Sequence, residues 1–446
     1  MTNGEDGASG RSYRRREVIA TLGVAGLAGC SGLFGGDEST DPTPTATPAP
    51  TSTPTPAWGT PTPVETEAAT DTPTATDTPT ATETESPTPE PTATPREADR
   101  EAMYHQGPRN RGVVDSPRSE PPYRQLAETW STAVDGKIKT APAVVDDTVY
   151  FGTDGGQVHA LDTSDGSPRW SASAGGTVRS SPAVADGTVY IGSDDKTLSA
   201  LDAETGRETW SFDAVGAIRT APKVVEGSVY FGSDDGSVYA VNAGDGSELW
   251  SYETRTRVRS SPAVTADHVY VGSNDQTLYQ LNRAEGSKVW TVETEGRVQS
   301  APVVGDGTVY FTDTEGVLHA INARLGDTEW TFDDPGSISV SPVLAGGVVY
   351  VVDLDGRVWS VDAESGTQNW SFNVRAQVTA SPLSVSGHLY VPREDAVLSV
   401  FSESGTQQST FSTSRSFQSS PSVSDGTLYV GCDDRRLYAL EDPSSG

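Results

Sequence analysis

Lysine, long apolar segments and helical periodicity are all scarce in this chain. Five of its 446 residues are lysine, Asp and Glu total 62 against 31 Lys and Arg, and the net charge is −31. This balance disfavours nucleic acid as a partner, because phosphates repel an acidic surface. No 3.6-residue apolar period is present in the C-terminal three quarters of the chain, so helices should be nearly absent there. Beyond Cys30, no apolar run is long enough to cross a membrane.

The N-terminus contains the three parts of an export signal in order. Three arginines at residues 14–16 precede a short apolar stretch that ends in Leu27-Ala28-Gly29-Cys30. This order is typical of a twin-arginine signal, and Leu-Ala-Gly-Cys resembles a lipobox. We predict that residues 1–29 are a lipoprotein signal peptide and that Cys30 is lipidated. The protein would then be exported and lipid-anchored to the outer face of the cytoplasmic membrane; the alternative is an uncleaved N-terminal anchor.

Residues 30–100 have the composition of a stalk. From Asp37 to Pro95 the chain is mostly Thr, Pro, Ala and Glu, which cannot bury a core. The composition predicts a disordered or polyproline II linker, and its Ser/Thr-Pro tracts favour O-glycosylation as a hypothesis. A lead-in segment, residues 101–125, follows the linker.

A single sequence unit then repeats eight times along the chain. A Ser/Ala-Pro step marks each unit, at Pro142, Pro182, Pro222, Pro262, Pro302, Pro342, Pro382 and Pro421. Tryptophans follow in phase, at Trp130, Trp170, Trp210, Trp250, Trp290, Trp330 and Trp370. A period of about 40 residues with several short strands in each unit is typical of propeller blades.

Each unit is interpreted as four antiparallel strands, named A to D from the axis outward. Between Arg179 and Phe212, four β-rich runs are separated by Asp/Gly turns, which predicts such a meander. The last unit ends at Leu440 without a fourth strand, whereas Glu128–Ser131 has no A–C strands before it. The sequence therefore predicts an all-β, eight-bladed propeller over residues 126–446, in which the N-terminal strand closes the last blade. The tryptophan is missing near Thr410 and Phe411, so that blade should pack less well.

The repeat resembles a known family. Leu-Asp-Ala-Glu-Thr-Gly-Arg-Glu-Thr-Trp (201–210) and Val-Asp-Ala-Glu-Ser-Gly-Thr-Gln-Asn-Trp (361–370) are similar to the tryptophan-docking motif of PQQ-like, quinoprotein-type propellers. The resemblance implies that the tryptophans stack between neighbouring blades. It also implies one of two functions, because the family contains quinone-dependent alcohol and sugar dehydrogenases and non-catalytic lipoproteins such as the outer-membrane assembly factor BamB. The acidic, lysine-poor composition resembles that of proteins from extreme halophiles, so the chain is identified as a twin-arginine lipoprotein of haloarchaeal type.

The residues favour the non-catalytic alternative. A dehydrogenase of this family would need PQQ stacked near the axis, Ca²⁺ held by oxygen ligands and a carboxylate base. The chain has no adjacent cysteines and no Cys-x-x-Cys-His motif, and its off-period Trp359 is interpreted as a packing residue. The spacing of the five histidines indicates no metal site. We therefore predict no catalytic residue, no metal and no cofactor, with PQQ and calcium only under the dehydrogenase alternative.

One asymmetry in the repeat suggests a binding site. Three residues before the repeat prolines lie Lys139, Arg179, Arg219 and Arg259 in four units, and neutral residues in the other four. Because strand A is innermost, these cations should surround one mouth of the channel and could bind an anionic solute or polysaccharide. The alternative is that each cation pairs with an Asp of the turn between strands B and C. Asp313 and Asp353 count against this alternative, since they persist where the cation is gone.

The remaining expectations concern single residues and partners. Cys432 is predicted to be a small buried packing residue, and paired acids such as Asp194-Asp195 are predicted to form turns. Asn369 begins the one N-glycosylation sequon. We predict a monomeric propeller that binds cell-surface or membrane proteins as a scaffold and contacts the membrane through its lipid.

Overall fold

The computed structural model describes residues 107, 109–110, 113–114, 124–333, 335–338 and 340–443. The chain divides into two compact units, residues 1–87 and 88–446, and all of the described residues belong to the second. The predicted signal peptide, Cys30 and the predicted stalk therefore lie outside the described residues. Within the described residues, no helix is both long enough and apolar enough to span a membrane.

Eight blades form the fold, each with four antiparallel strands in A–B–C–D order, and one blade has a fifth, short strand that pairs in parallel with its strand A. Two strands precede the first complete blade, β1 (Val113–Val114) and β2 (Ala127–Ala133). Blades 1 to 4 comprise β3 (Ala143–Val145), β4 (Thr148–Gly152), β5 (Gln157–Asp162), β6 (Pro168–Ser173), β7 (Ala183–Ala185), β8 (Thr188–Gly192), β9 (Thr197–Asp202), β10 (Glu208–Asp213), β11 (Lys223–Val225), β12 (Ser228–Gly232), β13 (Ser237–Asn242), β14 (Glu248–Glu253), β15 (Ala263–Val264), β16 (His268–Ser273), β17 (Thr277–Asn282) and β18 (Lys288–Glu293). Blades 5 to 8 comprise β19 (Val303–Gly305), β20 (Thr308–Thr312), β21 (Leu318–Asn322), β22 (Thr328–Phe332), β23 (Val343–Ala345), β24 (Val348–Val352), β25 (Arg357–Asp362), β26 (Gln368–Asn373), β27 (Leu383–Val385), β28 (His388–Pro392), β29 (Val397–Ser402), β30 (Gln407–Ser412), β31 (Ser422–Ser424), β32 (Thr427–Gly431) and β33 (Arg436–Glu441).

Local sequence explains the shape of each blade. In blade 2, Asp186 and Gly187 both have positive φ (49° and 74°), as a two-residue hairpin turn between strands A and B requires. Strands B and C are buried along most of their length, whereas strand D alternates exposed and partly buried residues because one of its faces meets solvent. A β-bulge between Glu208 and Trp210 interrupts the pairing of strands C and D.

The predicted ring closure is confirmed. Strand β2 pairs antiparallel with β33, with Trp130 opposite Ala439, so residues from both ends of the propeller complete blade 8. The A strands of neighbouring blades contact each other, including β3 with β31, and therefore surround the axis. Closing the ring in this way leaves no blade at an open end of the propeller.

Tryptophan joins each blade to the next. In blade 2 the indole N–H of Trp210 donates to Ala243 O of blade 3 at 3.0 Å, and the ring covers Gly246. A Cβ at Gly246 would lie 2.5 Å from that ring, so the repeat requires glycine there. Equivalent indole donors, each bonded to a carbonyl 33 residues ahead, are Trp130, Trp170, Trp250, Trp290, Trp330 and Trp370.

Blade 7 differs from the prediction in its register. Ser409 pairs with Val400 as Trp370 pairs with Ser360, so Ser409 occupies the tryptophan position and Thr410 and Phe411 do not. Phe411 instead faces the blade core and makes an edge contact with Tyr438, with ring centroids 5.5 Å apart. The sequence analysis placed the tryptophan position one residue too late, because the seventh unit is one residue shorter than the others in its turn between strands C and D.

Candidate functional site

A cavity of ≈ 200 Å³ opens at one mouth of the central channel. The side chains three residues before the repeat prolines form its rim, and the structure brings all four predicted cations together there. The described rim residues are Lys139, Arg179, Arg219, Arg259, Gln299, Thr379 and Gln418. The eighth position, residue 339, lies outside the described residues.

A layer of small residues lies beneath the rim. Two residues further along each unit the cavity is lined by Ala141, Ser181, Ala221, Ser261, Ala301, Ser341, Ser381 and Ser420. Serine oxygens link neighbouring blades in this layer, because the N–H groups of Ala141, Ala221 and Ala301 each donate at 2.9 Å to the serine of the next blade. This layer is tightly fixed by backbone hydrogen bonds around the ring.

Described residues of the lead-in bond to the A strands beyond the serine layer, and we call these contacts the floor. The side-chain amide of Asn110 donates to Ser261 O, Pro262 O and Pro302 O at 3.3, 2.9 and 3.1 Å. Asn110 is fully buried and has a φ of 56°, a left-handed conformation that asparagine tolerates better than most residues. Asn110 therefore joins the A strands of blades 4 and 5 just beyond the serine layer.

Two further contacts extend this floor across the axis. The Nζ of Lys223 on β11 donates to Gly107 O at 3.0 Å, and Val113 and Val114 of β1 pair in parallel with Ser384 and Val385. Described residues of the lead-in therefore contact blades on opposite sides of the ring, blades 3 and 7. Lys223 is completely buried, and this burial lowers the pKa of its ammonium group well below the ordinary value.

The three arginines of the rim belong to an ion-pair network. Arg219 bonds Asp194 of the preceding blade at 2.6 Å and Asp234 of its own blade at 2.8 Å. Arg179 also pairs with Asp194, at 3.2 Å, and Arg259 pairs with Asp234 at 2.9 Å. The network thus joins blades 2, 3 and 4, and it contains three cations and two carboxylates.

The network changes the ionisation of its members. Burial on its own would raise the pKa of Asp194, but hydrogen bonds and charge from Arg219 and Arg179 outweigh burial and lower that pKa below its ordinary value. The hydrogen bond to Asp194 raises the pKa of Arg219. The pairing alternative of the sequence analysis therefore describes these three arginines, whereas Lys139 forms no ion pair with any described residue.

Rim residues without charge take other partners in the rest of the described ring. Gln299 donates to Asn274 across the next junction at 3.0 Å, and Thr379 donates to Glu394 at 2.9 Å. Asn274 occupies the turn position of Asp194 and Asp234. Both groups are thus neutral at the junction of blades 4 and 5, whereas Glu394 of blade 7 keeps an acid in the turn and accepts hydrogen bonds from the uncharged rim residues Thr379 and Gln418.

Two acids were assigned to the wrong turn position by the sequence analysis. Asp313 and Asp353 lie one residue earlier in their turns than Asp194 does, and both are buried. Asp313 accepts the N–H groups of Glu315 and Val317 and pairs with His319, while Asp353 accepts the N–H of Arg357. These carboxylates stabilise their own turns, so they do not count against ion pairing at the rim.

The paired acids of the turns divide two tasks. The first of each pair bonds cations, as Asp194 and Asp234 do. The second stabilises the turn, since Asp195 accepts the N–H of Thr197 and Asp235 accepts the N–H of Ser237. The prediction of turn formation therefore describes the second acid only.

The other singled-out residues lie away from the cavity. Trp359 is buried in its blade, makes an edge contact with Phe332 and carries the guanidinium of Arg357 above its ring. Asn369 is exposed on the outermost strand β26, and its amide donates to Ser360 Oγ at 3.3 Å. Cys432 is fully buried, and burial is the main cause that raises the pKa of its thiol to about 11.

The described lining of the cavity does not fit a quinone with calcium. Such a cofactor needs an aromatic surface for stacking and several oxygen ligands for the metal. The residues that line the cavity include no aromatic ring and no carboxylate. Within the described part of the chain, no group of three or more His, Cys, Asp and Glu could hold a metal ion. We therefore derive no redox step at this site.

These observations define the class of the molecule as an eight-bladed propeller of PQQ-like repeats. A family model described as outer membrane protein assembly factor BamB matches residues 124–257, 214–299, 234–342 and 274–398. These matches together cover more than half of the chain, so the protein belongs to this BamB family of PQQ-like propellers. No curated protein sequence matches the chain.

Solved structures of different proteins share the fold. BamB from Moraxella catarrhalis is similar with a TM-score of 0.63 at 20% identity, covering 71% of this chain and 99% of its own. The computationally designed protein Ika8 has a TM-score of 0.65 at 16% identity, covering 70% and 99%. The quinohemoprotein alcohol dehydrogenase ADHIIG from Pseudomonas putida HK5 has a TM-score of 0.68 at 15% identity, covering 78% and 80%. At these identities the similarity establishes the fold alone.

Sequence reasoning missed the floor of the cavity. Lys223 is a charged residue on strand A where the equivalent positions of blades 2 and 4 carry Ala183 and Ala263, and this break in pattern was an available signal. Nothing in the repeat indicated that Asn110 would bond the carbonyls of blades 4 and 5 near the axis. The lead-in precedes the first repeat and has no counterpart in the other units.

Proposed function

We propose that this protein is an exported lipoprotein whose propeller is a non-catalytic binding scaffold. The proposal places residues 1–29 in a cleaved twin-arginine signal and the lipid on Cys30, at the outer face of the cytoplasmic membrane. The partners would be cell-surface or membrane proteins, and the propeller would act as a monomer. Membership in a family described as an assembly factor supports this role.

The lining of the axial cavity carries the proposal. A quinone-dependent dehydrogenase would need an aromatic surface to stack its cofactor and oxygen ligands for calcium. The described residues that line this cavity offer charged, amide and hydroxyl groups without an aromatic ring or a carboxylate. Asp194 and Asp234 bond arginines of the rim, and Glu394 accepts hydrogen bonds from the rim residues Thr379 and Gln418. Asp194 is a poor general base, because its two arginines lower its pKa. These side chains are better suited to binding than to proton transfer.

The test is to purify the mature protein from its native membrane and measure its mass, metal content and extractable quinone. We expect a chain that begins at Cys30 with added lipid, without stoichiometric quinone or calcium. Cys30→Ala should release the protein from the membrane fraction, whereas Cys432→Ala, a matched change at the buried cysteine, should not. A stoichiometric quinone would contradict the non-catalytic role, and an unlipidated Cys30 would contradict the anchor.

Chemical cross-linking of intact cells then tests the scaffold role. We expect one or a few surface proteins to be captured in fixed ratio with the propeller and to be lost when an excess of unlabelled protein competes. Captures that do not compete would contradict specific binding.

A further inference from the structure

The axial cavity presents hydrogen-bond donors in excess of acceptors. The Oγ atoms of Ser181, Ser261 and Ser341 each accept a backbone N–H at 2.9 Å, and these side chains are at least nine-tenths buried. None of the three hydroxyls donates to another described residue. A buried hydroxyl whose oxygen already accepts a hydrogen bond still has one proton to donate. Three such protons face a cavity with no carboxylate in its described lining.

The charged residues that line the cavity also favour an anionic ligand. Lys139 lines the cavity and forms no ion pair with any described residue, whereas Arg179, Arg219 and Arg259 pair with Asp194 and Asp234. Behind the neutral part of the rim, Glu394 accepts hydrogen bonds from Thr379 and Gln418. In a chain whose net charge is −31, Lys139 is therefore the lining cation whose charge is left to attract an anion.

The size of the cavity limits the ligand. At ≈ 200 Å³ it is smaller than the roughly 300–1,000 Å³ of pockets that take drug-sized molecules. The described lining is limited to the rim and the layer of small residues beneath it. A small ligand therefore fits the site better than a large one.

We propose that this cavity binds a small free oxyanion, a carboxylate or a phosphate, with Lys139 as its charged contact and Ser181 and its equivalents as donors below. This inference deepens the proposed binding function and rests on it. Charge-assisted hydrogen bonds from the ammonium would supply most of the affinity, and the serine hydroxyls would orient the oxygens.

The test uses the full mature protein in detergent, with isothermal titration of inorganic phosphate and of citrate at constant ionic strength. We expect one site per chain. Lys139→Gln should weaken binding by about tenfold or more, and Ser181→Ala by roughly threefold to tenfold. Alanine fits the serine layer, because Ala141, Ala221 and Ala301 occupy it in other blades. Lys288→Gln, the same change at an exposed lysine on β18, should leave the affinity unchanged.

Several outcomes would overturn the inference. Absence of phosphate and citrate binding would do so, as would equal affinity of the Lys139→Gln and Lys288→Gln proteins when both are shown to be folded by circular dichroism. Binding of a short acidic peptide without binding of either free anion would also overturn it. Failure of this inference can be told apart from failure of the proposed function. A quinone-free protein that binds no anion contradicts the anion site alone, whereas a quinone in the cavity contradicts both the anion site and the non-catalytic scaffold.

Discussion

Replacing Trp250 by alanine should destabilise the propeller by about 3–5 kcal/mol, the usual range for removing a buried tryptophan. Trp250 is 8% exposed, its indole N–H donates to Arg283 O of the next blade at 2.8 Å, and its ring lies 5.9 Å from that of Tyr230. About 1 kcal/mol of the loss belongs to the hydrogen bond and the remainder to packing. Leu249→Ala, on the same strand but 50% exposed, should cost about 0.5 kcal/mol or less.

Gly286 gives this prediction a sharper form. It has a φ of +68°, and a Cβ there would lie 2.6 Å from the Trp250 ring. Gly286→Ala should therefore cost about 1–2 kcal/mol for the left-handed backbone and a further 1–3 kcal/mol for the steric overlap. In the Trp250→Ala protein there is no indole ring for the new Cβ to overlap. Gly286→Ala should then lower the free energy of unfolding only by the cost of the left-handed backbone.

The assay is urea unfolding of the four proteins followed by far-ultraviolet circular dichroism, which reports mainly on the strands and gives a transition in proteins with and without Trp250. We expect a coupling free energy of about 1–3 kcal/mol between the two positions. If Gly286→Ala costs the same in both backgrounds, the glycine is required by backbone conformation alone and the docking argument is refuted. A change in the urea dependence of unfolding would show that the blades no longer unfold together.

Three further results are expected. Arg219→Gln should lower the free energy of unfolding by about 1 kcal/mol at neutral pH. Because the folded-state pKa of Asp194 lies below its ordinary value of 3.8, this difference is complete above pH 3.8 and is lost as the pH falls through the lowered pKa. The urea midpoints of the two proteins should therefore converge in acid, and a constant difference would contradict the pairing. The Cys432 thiol, with its pKa raised to about 11, should resist iodoacetamide at pH 8 until urea unfolds the chain, and rapid labelling of the native protein, read by peptide mass spectrometry, would show that it is accessible. Asn110→Ala should expose the lead-in to tryptic cleavage after Arg109, and Asn110→Gly should have the same effect because both changes remove the side-chain amide. If the glycine protein is protected from cleavage, the left-handed backbone at residue 110 holds the lead-in in place and the amide does not.

The class of fold could be predicted because its determinants are local and repeated. Each unit encodes its own turns and its own alternation of buried and exposed residues, so one unit such as Arg179–Phe212 is enough to define a four-stranded blade. Ring closure also followed from the sequence, since the last unit lacks a strand and Trp130 precedes the first. The register predicted for blade 7 was wrong, because the position equivalent to the docking tryptophan is Ser409 and the prediction placed it one residue later, at Thr410.

The candidate site could be predicted only in part. Phase in the repeat was enough to bring Lys139, Arg179, Arg219 and Arg259 to one rim, because equivalent positions of a propeller lie at equal height around the axis. Which acid each cation meets depends on the stagger between adjacent blades, and Arg219 bonds one acid 25 residues behind and one 15 residues ahead. A phase error of a single residue was sufficient to misjudge Asp313 and Asp353.

The sequence by itself determined the number of blades, the closure of the ring and the positions of the docking tryptophans, because these follow from short-range hydrogen-bond patterns that recur in every repeat unit. The tertiary structure alone decided that the channel has a floor and that serine hydroxyls face the cavity above it. Asn110 reaches carbonyls 151, 152 and 192 residues away, and no repeat or turn encodes such contacts. They form because the assembled ring leaves buried carbonyls around its axis, and these must find donors wherever the chain can supply them.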